Sequence, residues 1–243
     1  MTLIKKIIRI QNENMLIYAQ TLFFVLLLVF GYVSPETIVF GYFFETIIIG
    51  LFHMVKLYLT IAHGQPDVSK SNSIQGYGMI LFFMVHYGMF VAIQMVFVFS
   101  FFAESVPGLT MGFNLVTNFT AVFRLEGMSI MIASLFITNL GYFYTNFWKN
   151  QSYTTYAPSE IFFSPYVRIV IQQFVVIFAG FCMVLLHAGL AAAYLLLLFR
   201  LAVDLCMVAM RKDSNVLDQM ANVLSNSGQS PAEIREQLRR FSE

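Results

Sequence analysis

Charge is what this chain has least of. Asp, Glu, Lys and Arg make up 11% of its residues, against about 25% in an ordinary soluble domain. So few ions cannot cover a water-exposed domain of this length, which excludes that class and points to a polytopic membrane protein. Neither sign is in surplus. The formal net charge is +1, which offers nucleic acid no electrostatic footprint. Cysteine is nearly absent as well. Cys182 and Cys206 both fall in apolar runs and read as buried thiols, not as a disulfide or a metal pair. No Gly-x-Ser-x-Gly occurs, and Ser129 and Ser134 have no evident base beside them, which argues against a serine hydrolase. A cleavable leader is not expected. Residues 1–14 are polar with Lys5, Lys6 and Arg9, and no small-residue cleavage site closes the apolar run that follows.

What the chain does have is long apolar runs. Roughly 20 apolar residues cross a bilayer as a helix. Residues 15–32, 36–62, 79–102 and 128–147 meet or approach that length. The run 166–210 is long enough for two spans, and His187-Ala188-Gly189 is its one plausible turn, so it divides into 166–186 and 190–210. Six spans result. Ser34-Pro35 separates the first two, and a polar loop begins at His63. Between the third and fourth spans, Phe113, Val116, Phe119 and Phe123 recur every three to four residues, which suits a helix at about 110–125 lying in the interface. Trp148, Tyr153, Tyr156, Phe162 and Phe163 give the next loop the aromatic character of a headgroup-level anchor. The organisation is then an N-terminal segment 1–14, a membrane domain 15–210 and a polar tail 211–243. In the tail, Ser230-Pro231-Ala232-Glu233 is a capping box that predicts a short helix at about 231–241. The expected fold class is an all-α transmembrane bundle.

Lysine and arginine set the expected orientation. With both termini in the cytoplasm, Lys5, Lys6, Arg9, Lys70, Lys149, Arg211, Lys212, Arg235, Arg239 and Arg240 lie inside and only Arg124 outside, a strong positive-inside bias. An odd number of spans would break it.

The candidate site consists of polar residues inside the apolar runs. Glu45, His53 and Lys56 share the second span, His86 and Gln94 the third, and Arg200 and Asp204 the sixth. Each ionisable group at mid-bilayer costs on the order of 2.5–3.5 kcal/mol on insertion scales. Glu45 and Lys56 are 11 apart, which at about 100° per residue puts them on nearly the same face. Arg200 and Asp204 are spaced i, i+4 and can pair. Arg200 falls near the bilayer centre, with Glu45 within reach as a second partner. Lys56 and His86 lie nearer the cytoplasmic surface, and Arg168, close to the start of its span, can snorkel to the headgroups. Glu45, Lys56, His86, Arg200 and Asp204 are therefore expected to form one buried polar network, with His53, Arg168 and Gln94 as possible additions. For Arg200–Asp204 the plain alternative is an ion pair that only fixes helix packing. For His53 and His86 it is hydrogen-bonded core histidine.

Several of these residues also carry a resemblance. Phe43-Phe44-Glu45-Thr46 through His53 and Lys56, Phe82-Phe83-Met84-Val85-His86-Tyr87-Gly88-Met89-Phe90, Pro165-Tyr166-Val167-Arg168 and Phe199-Arg200 through Asp204 resemble a bacterial family of small multi-pass inner-membrane proteins of unknown function, over about residues 38–211. The resemblance implies a helical inner-membrane protein and supplies no activity. Where relatives of this kind often carry Ser-His in the fourth span, this chain has Thr138-Asn139, which tells against histidine-bound metal.

Three functional classes follow. The leading expectation is a non-enzymatic subunit or accessory factor of a larger membrane assembly, with the lipid bilayer and a protein partner or second copy as its contacts. The alternative is a proton-coupled transporter or channel that uses Glu45, His86 and Asp204. A metal- or haem-binding enzyme built on Glu45, His53 and His86 ranks last, and no cofactor or metal is expected.

Overall fold

The computed structural model describes residues 3–9, 14–66, 76–186, 189–225, 230–232, 234, 235 and 238, with the backbone alone at 167, 168, 172, 183–186 and 224. Among the described residues every regular element is helical. In chain order these are α1 (Leu3–Ile8), α2 (Met15–Val29), α3 (Pro35–His63), α4 (Gly78–Phe102), α5 (Leu115–Phe123), α6 (Met128–Phe143), α7 (Ser152–Thr155), α8 (Pro158–Phe162), α9 (Ser164–Leu186), α10 (Gly189–Lys212) and α11 (Ser214–Leu224). The last turns of α6 widen into a π-helical stretch, Tyr144–Trp148. Among the described residues, five helical stretches are long and apolar enough to cross a membrane: Pro35–His63, Gly78–Phe102, Met128–Trp148, Pro158–Cys182 and Gly189–Lys212. The protein is an all-α, multi-pass membrane bundle.

The first apolar run is shorter than its sequence suggests. α2 has 15 residues, or about 22 Å at 1.5 Å per residue, less than the roughly 30 Å hydrocarbon core. Gly31 ends it. With φ at +73° it occupies the left-handed region that glycine tolerates. Tyr32 N–H returns to the Leu27 carbonyl at 2.9 Å and Gly31 N–H to Leu28 at 3.2 Å, the paired bonds of a Schellman stop. Three residues later the chain restarts. Ser34 Oγ accepts the Thr37 N–H at 3.2 Å, and Pro35 takes the first helical position, where its missing N–H is no loss.

α3 is the axis of the bundle. Of its most apolar window 67% is buried, against 22–28% for the other four long helices. It lies against α4, α6, α9 and α10. Phe40, Phe43, Phe99 and Phe102 fill the space between α3 and α4. Two glycines on α3 let neighbours come close. A Cβ on Gly41 would lie 2.4 Å from the Met131 side chain on α6, and one on Gly50 2.5 Å from the Tyr87 ring on α4. Tyr87 uses that proximity to donate its hydroxyl to the Thr46 carbonyl at 2.5 Å.

The stretch before α6 is held by one buried side chain. Asn118 on α5 accepts the Thr110 N–H and hydroxyl, each at 2.8 Å, and donates to the Thr110 carbonyl at 2.8 Å. The short helix expected near 110–125 is therefore α5, folded back on its own loop.

The two chain ends meet. Met210, Val216 and Leu217 are buried in a small cluster with Leu3 and Ile7, and Lys6 Nζ reaches Asp213 Oδ2 at 2.9 Å. Asp213 also caps α11 through the Asn215 N–H at 2.9 Å. The sequence predicts a tail helix at about 231–241 and none before it; α11 forms in addition, at Ser214–Leu224, and packs on α1 and α10. Pro231, Ala232, Ile234, Arg235 and Leu238 are helical, while Glu233 of the capping box lies outside the described residues. So do the turn residues His187 and Ala188, and Lys70.

Candidate functional site

The charge centre sits where α3 and α10 cross. Glu45 on α3 is 1% exposed, and the Arg200 and Asp204 side chains on α10 are each 13% exposed. Arg200 Nη2 donates to Glu45 Oε1, and Arg200 Nε donates to Asp204 Oδ2 at 3.2 Å. The i, i+4 spacing on α10 brings the second pair together, and helix packing supplies the first. Tyr42, three residues before Glu45, lays its ring 4.6 Å from the guanidinium carbon, close enough for a cation–π contact. From α6, Asn139 Nδ2 donates to Glu45 Oε1 at 3.3 Å and to the Leu135 carbonyl at 2.8 Å. Arg200 Nη1 is buried and has no protein hydrogen bond. Beside it lies a cavity of about 30 Å³, lined by Glu45, Arg200 and Asp204 and by Val175, Leu196 and Val203. That space suits a water, not a solute.

Not every candidate joins this centre. His86 points elsewhere: its Nδ1 is 3.0 Å from the Tyr166 hydroxyl on α9, and its ring packs on Phe82, Phe90 and Tyr166. The reason is angular. α4 turns Phe83 and Tyr87 towards α3, and His86 is one residue, about 100°, off that line. The expected single network of Glu45, Lys56, His86, Arg200 and Asp204 is thus corrected to a centre made of Glu45, Arg200 and Asp204, a separate His86–Tyr166 pair, and Lys56 against the Phe147 ring. His53 is 3% exposed, and its ring centroid lies 4.8 Å from that of Phe83, tilted by 45°. Its Nε2 has no protein partner. Gln94 is fully buried on α4, and neither amide atom finds a hydrogen bond. Arg168 is on α9, with its side chain outside the described residues. Among the described residues, no three His, Cys, Asp or Glu side chains converge as metal ligands would.

Lys56 lies apart from the charge centre, nearer the end of α3. Its ammonium sits 5.5 Å from the Phe147 ring centroid and lines two further cavities. The deeper one, about 110 Å³, is lined by Ile49, His53, Lys56, Asn139, Ser164 and Met207 among others. The outer one, about 250 Å³, is lined by Lys56, Asn146, Glu160, Ser164, Arg211 and Lys212 among others. Lys56 and Ser164 belong to both. Asn139 belongs to the deeper cavity and bonds Glu45. Polar groups therefore run from one end of the bundle to its charge centre. The wall of the outer cavity is where helical regularity fails, in the π-helical stretch and the short α7 and α8. Gln65 N–H ties the end of α3 to this wall through the Tyr156 carbonyl at 3.1 Å.

A sequence family described as Family of unknown function (DUF6498) matches residues 4–221, a span that takes in all the apolar helices. The chain belongs to this family. Comparison with curated proteins finds no match, and neither does comparison with solved structures. For this DUF6498 chain the resemblance seen in the spans is therefore a family membership without an assigned activity.

Two members of the site were missed from sequence. Asn139 is an amide inside an apolar span, the same signal that singled out Gln94, yet only its partner Glu45 gives it meaning. Tyr42 shares a helical face with Glu45, but aromatic residues are too frequent here, with 27 Phe and 12 Tyr, for that spacing to stand out.

Proposed function

We propose that the protein is a solute-handling membrane protein of the proton-coupled transporter or channel kind, in the bacterial inner membrane. A polar solute or proton enters from the cytoplasmic end and meets the Glu45–Arg200–Asp204 centre. The observation that carries this reading is the polar succession of Lys56, His53 and Asn139 down to Glu45, along two cavities with shared lining residues. Irregular backbone at membrane depth is tolerated where it lines a water-filled cavity, and π-helical turns concentrate at functional sites. The reading has both termini in the cytoplasm. The contact of α1 with α11 at one end of the bundle supports an even number of crossings, with the short α2 as the sixth, its missing length met by local thinning of the bilayer. The accessory-subunit reading has no comparable support, because the exposed apolar residues of the outer helices are what lipid alone requires.

The test is solvent access. Asn139→Cys and Ile49→Cys, in protein lacking Cys182 and Cys206, should react with a membrane-impermeant methanethiosulfonate reagent added from the cytoplasmic side. Phe99→Cys, at a fully buried position, should not. If neither cavity cysteine reacts faster than Phe99→Cys, the cavities are closed to solvent and the reading fails.

A further inference from the structure

The connection between α4 and α6, residues 103–127, does not sit on top of the bundle. Its level can be read from its neighbours. Met128–Trp148 has 21 residues, about 31 Å of helix, which matches the roughly 30 Å hydrocarbon core. Trp148, an aromatic of the kind that anchors at an interface, closes one end of this stretch. Met128 therefore marks the other edge of the core. The Thr37 hydroxyl donates to the Glu126 carbonyl at 2.9 Å, so Thr37 is level with that edge. Phe43 and Phe44 follow Thr37 by six and seven residues on α3, about 9–10 Å further along the helix. The α5 rings meet them there. Phe119 lies 6.4 Å from Phe43 and 5.9 Å from Phe44, and Phe123 lies 5.2 Å from Phe44, centroid to centroid. These contacts hold α5 below the membrane edge.

At about 100° per residue the wheel of α5 divides into three sectors. Asn118, Ala121 and Val122 are buried against the bundle. Leu115, Val116, Phe119 and Phe123 share the second sector, and Leu115, Val116 and Phe123 are 43%, 81% and 53% exposed. Thr117, Thr120 and Arg124 share the third and are exposed as well. In the preceding loop Met111 and Phe113 are each 66% exposed. That loop is closed from within: Asn118 Nδ2 donates to the Gly112 carbonyl at 3.4 Å as well as to the Thr110 carbonyl. Water would serve such backbone groups without a side chain, whereas lipid requires a partner from the protein. α4 and α6 extend the apolar surface near the ends that adjoin α5, with Phe97 and Ile130 45% and 47% exposed.

We propose that residues 111–123 are inserted among the acyl chains of the leaflet opposite the two chain ends, the outer leaflet in the orientation above. The occupant of this surface is lipid. The apolar sector lies on the acyl chains, and Thr117, Thr120 and Arg124 meet the headgroups. The level agrees, since an amphipathic helix in one leaflet lies about 5–10 Å into the boundary between headgroups and chains. Continuity with the lipid-facing residues of α4 and α6 selects lipid over a soluble partner, which cannot reach a surface below the membrane edge. This inference is independent of the transport reading.

The experiment places a nitroxide on the full chain, with Cys182 and Cys206 replaced by Ala, in dioleoylphosphatidylcholine bilayers. Collisions with oxygen, which concentrates among acyl chains, are compared with collisions with a water-soluble nickel chelate. Phe97→Cys is the lipid reference, and Gln219→Cys, at an exposed position of α11, is the water reference. Labels at Phe113→Cys and Val116→Cys should favour oxygen several-fold, as at Phe97→Cys, while Thr117→Cys should lie between the two references. Val116→Trp with Trp148→Phe is an independent variant that keeps the test open if a labelled chain fails to fold. Bromine-labelled acyl chains should quench its fluorescence and aqueous acrylamide should not. Chelate collisions at Phe113→Cys and Val116→Cys equal to those at Gln219→Cys, or quenching by acrylamide alone, overturn the insertion. Labels that are shielded from both reagents and broaden one another in undiluted protein show a second copy on this surface, and overturn lipid as its occupant.

Discussion

Arg200 should be the least replaceable residue in the bundle. It stands between two carboxylates, Glu45 from α3 and Asp204 from its own helix, with the Tyr42 ring of α3 4.6 Å from its guanidinium carbon. Replacing it with Gln leaves two carboxylates facing each other in a site where Glu45 is 1% exposed. Breaking a buried ion pair by removing one partner costs about 3–5 kcal/mol, and Arg200→Gln should fall in that range. Asp204→Asn is a different case. From sequence alone Asp204 is the nearest counter-charge and its loss would be as severe. In the structure Glu45 still holds the guanidinium, so the expected cost is about 1–3 kcal/mol, that of a lost charge-assisted hydrogen bond. Replacing Glu45, Arg200 and Asp204 together by Leu should destabilise less than Arg200→Gln alone, because no buried charge is left unmatched. Unfolding in mixed micelles with increasing SDS gives these differences directly. If Asp204→Asn proves worse than Arg200→Gln, or the triple variant costs as much as the sum of the singles, the three side chains are not one electrostatic unit.

Other perturbations are read from the same structure. Gly50→Ala places a methyl group against the rigid Tyr87 ring and should cost about 1–3 kcal/mol by overpacking; an unchanged unfolding midpoint would show that α3 and α4 can separate there. Asn118→Ala removes the side chain that closes the 110–118 loop and should cost about 1–3 kcal/mol, with limited proteolysis appearing at that loop. The Lys6 ammonium holds the Asp213 carboxyl below its ordinary value of 3.8. A depressed carboxylate stabilises the docked state above the ordinary value and loses that effect as pH falls through the lower folded value. Spin labels at Ile4→Cys and Val223→Cys should therefore stay close at neutral pH and separate in acid below the ordinary carboxylate range, and Asp213→Asn should weaken the neutral-pH contact. Truncation after Lys212 uncovers Met210, Leu3 and Ile7, so α1 should become protease-sensitive while the apolar helices stay inserted; an unaltered α1 would refute the packing of the two ends.

Some of this was legible in the residues themselves. The scarcity of charge and the length of the apolar runs determine a helical membrane bundle, because an uninterrupted apolar run of roughly 20 residues in lipid satisfies its backbone hydrogen bonds within itself only as a helix, whereas barrel strands are about half as long and alternate in polarity. The Arg200–Asp204 pair was equally readable, since i, i+4 neighbours meet in any helix. What spacing could not say is which helices lie side by side. Whether Glu45 or His86 meets Arg200 depends on the rotation of α3 and α4 about their axes, and that is set by Gly50 against Tyr87 and by the phenylalanines packed around Phe40 and Phe43. The docking of α11 on α1 was hidden for the same reason: its apolar residues acquire a meaning only when the far end of the chain is brought to them. Lys56, Arg211 and Lys212 read separately as basic residues near the inner ends of spans. Tertiary structure alone turns them into one wall, because charges more than 150 residues apart in the chain share a cavity only when α3 and α10 finish at the same end of the bundle.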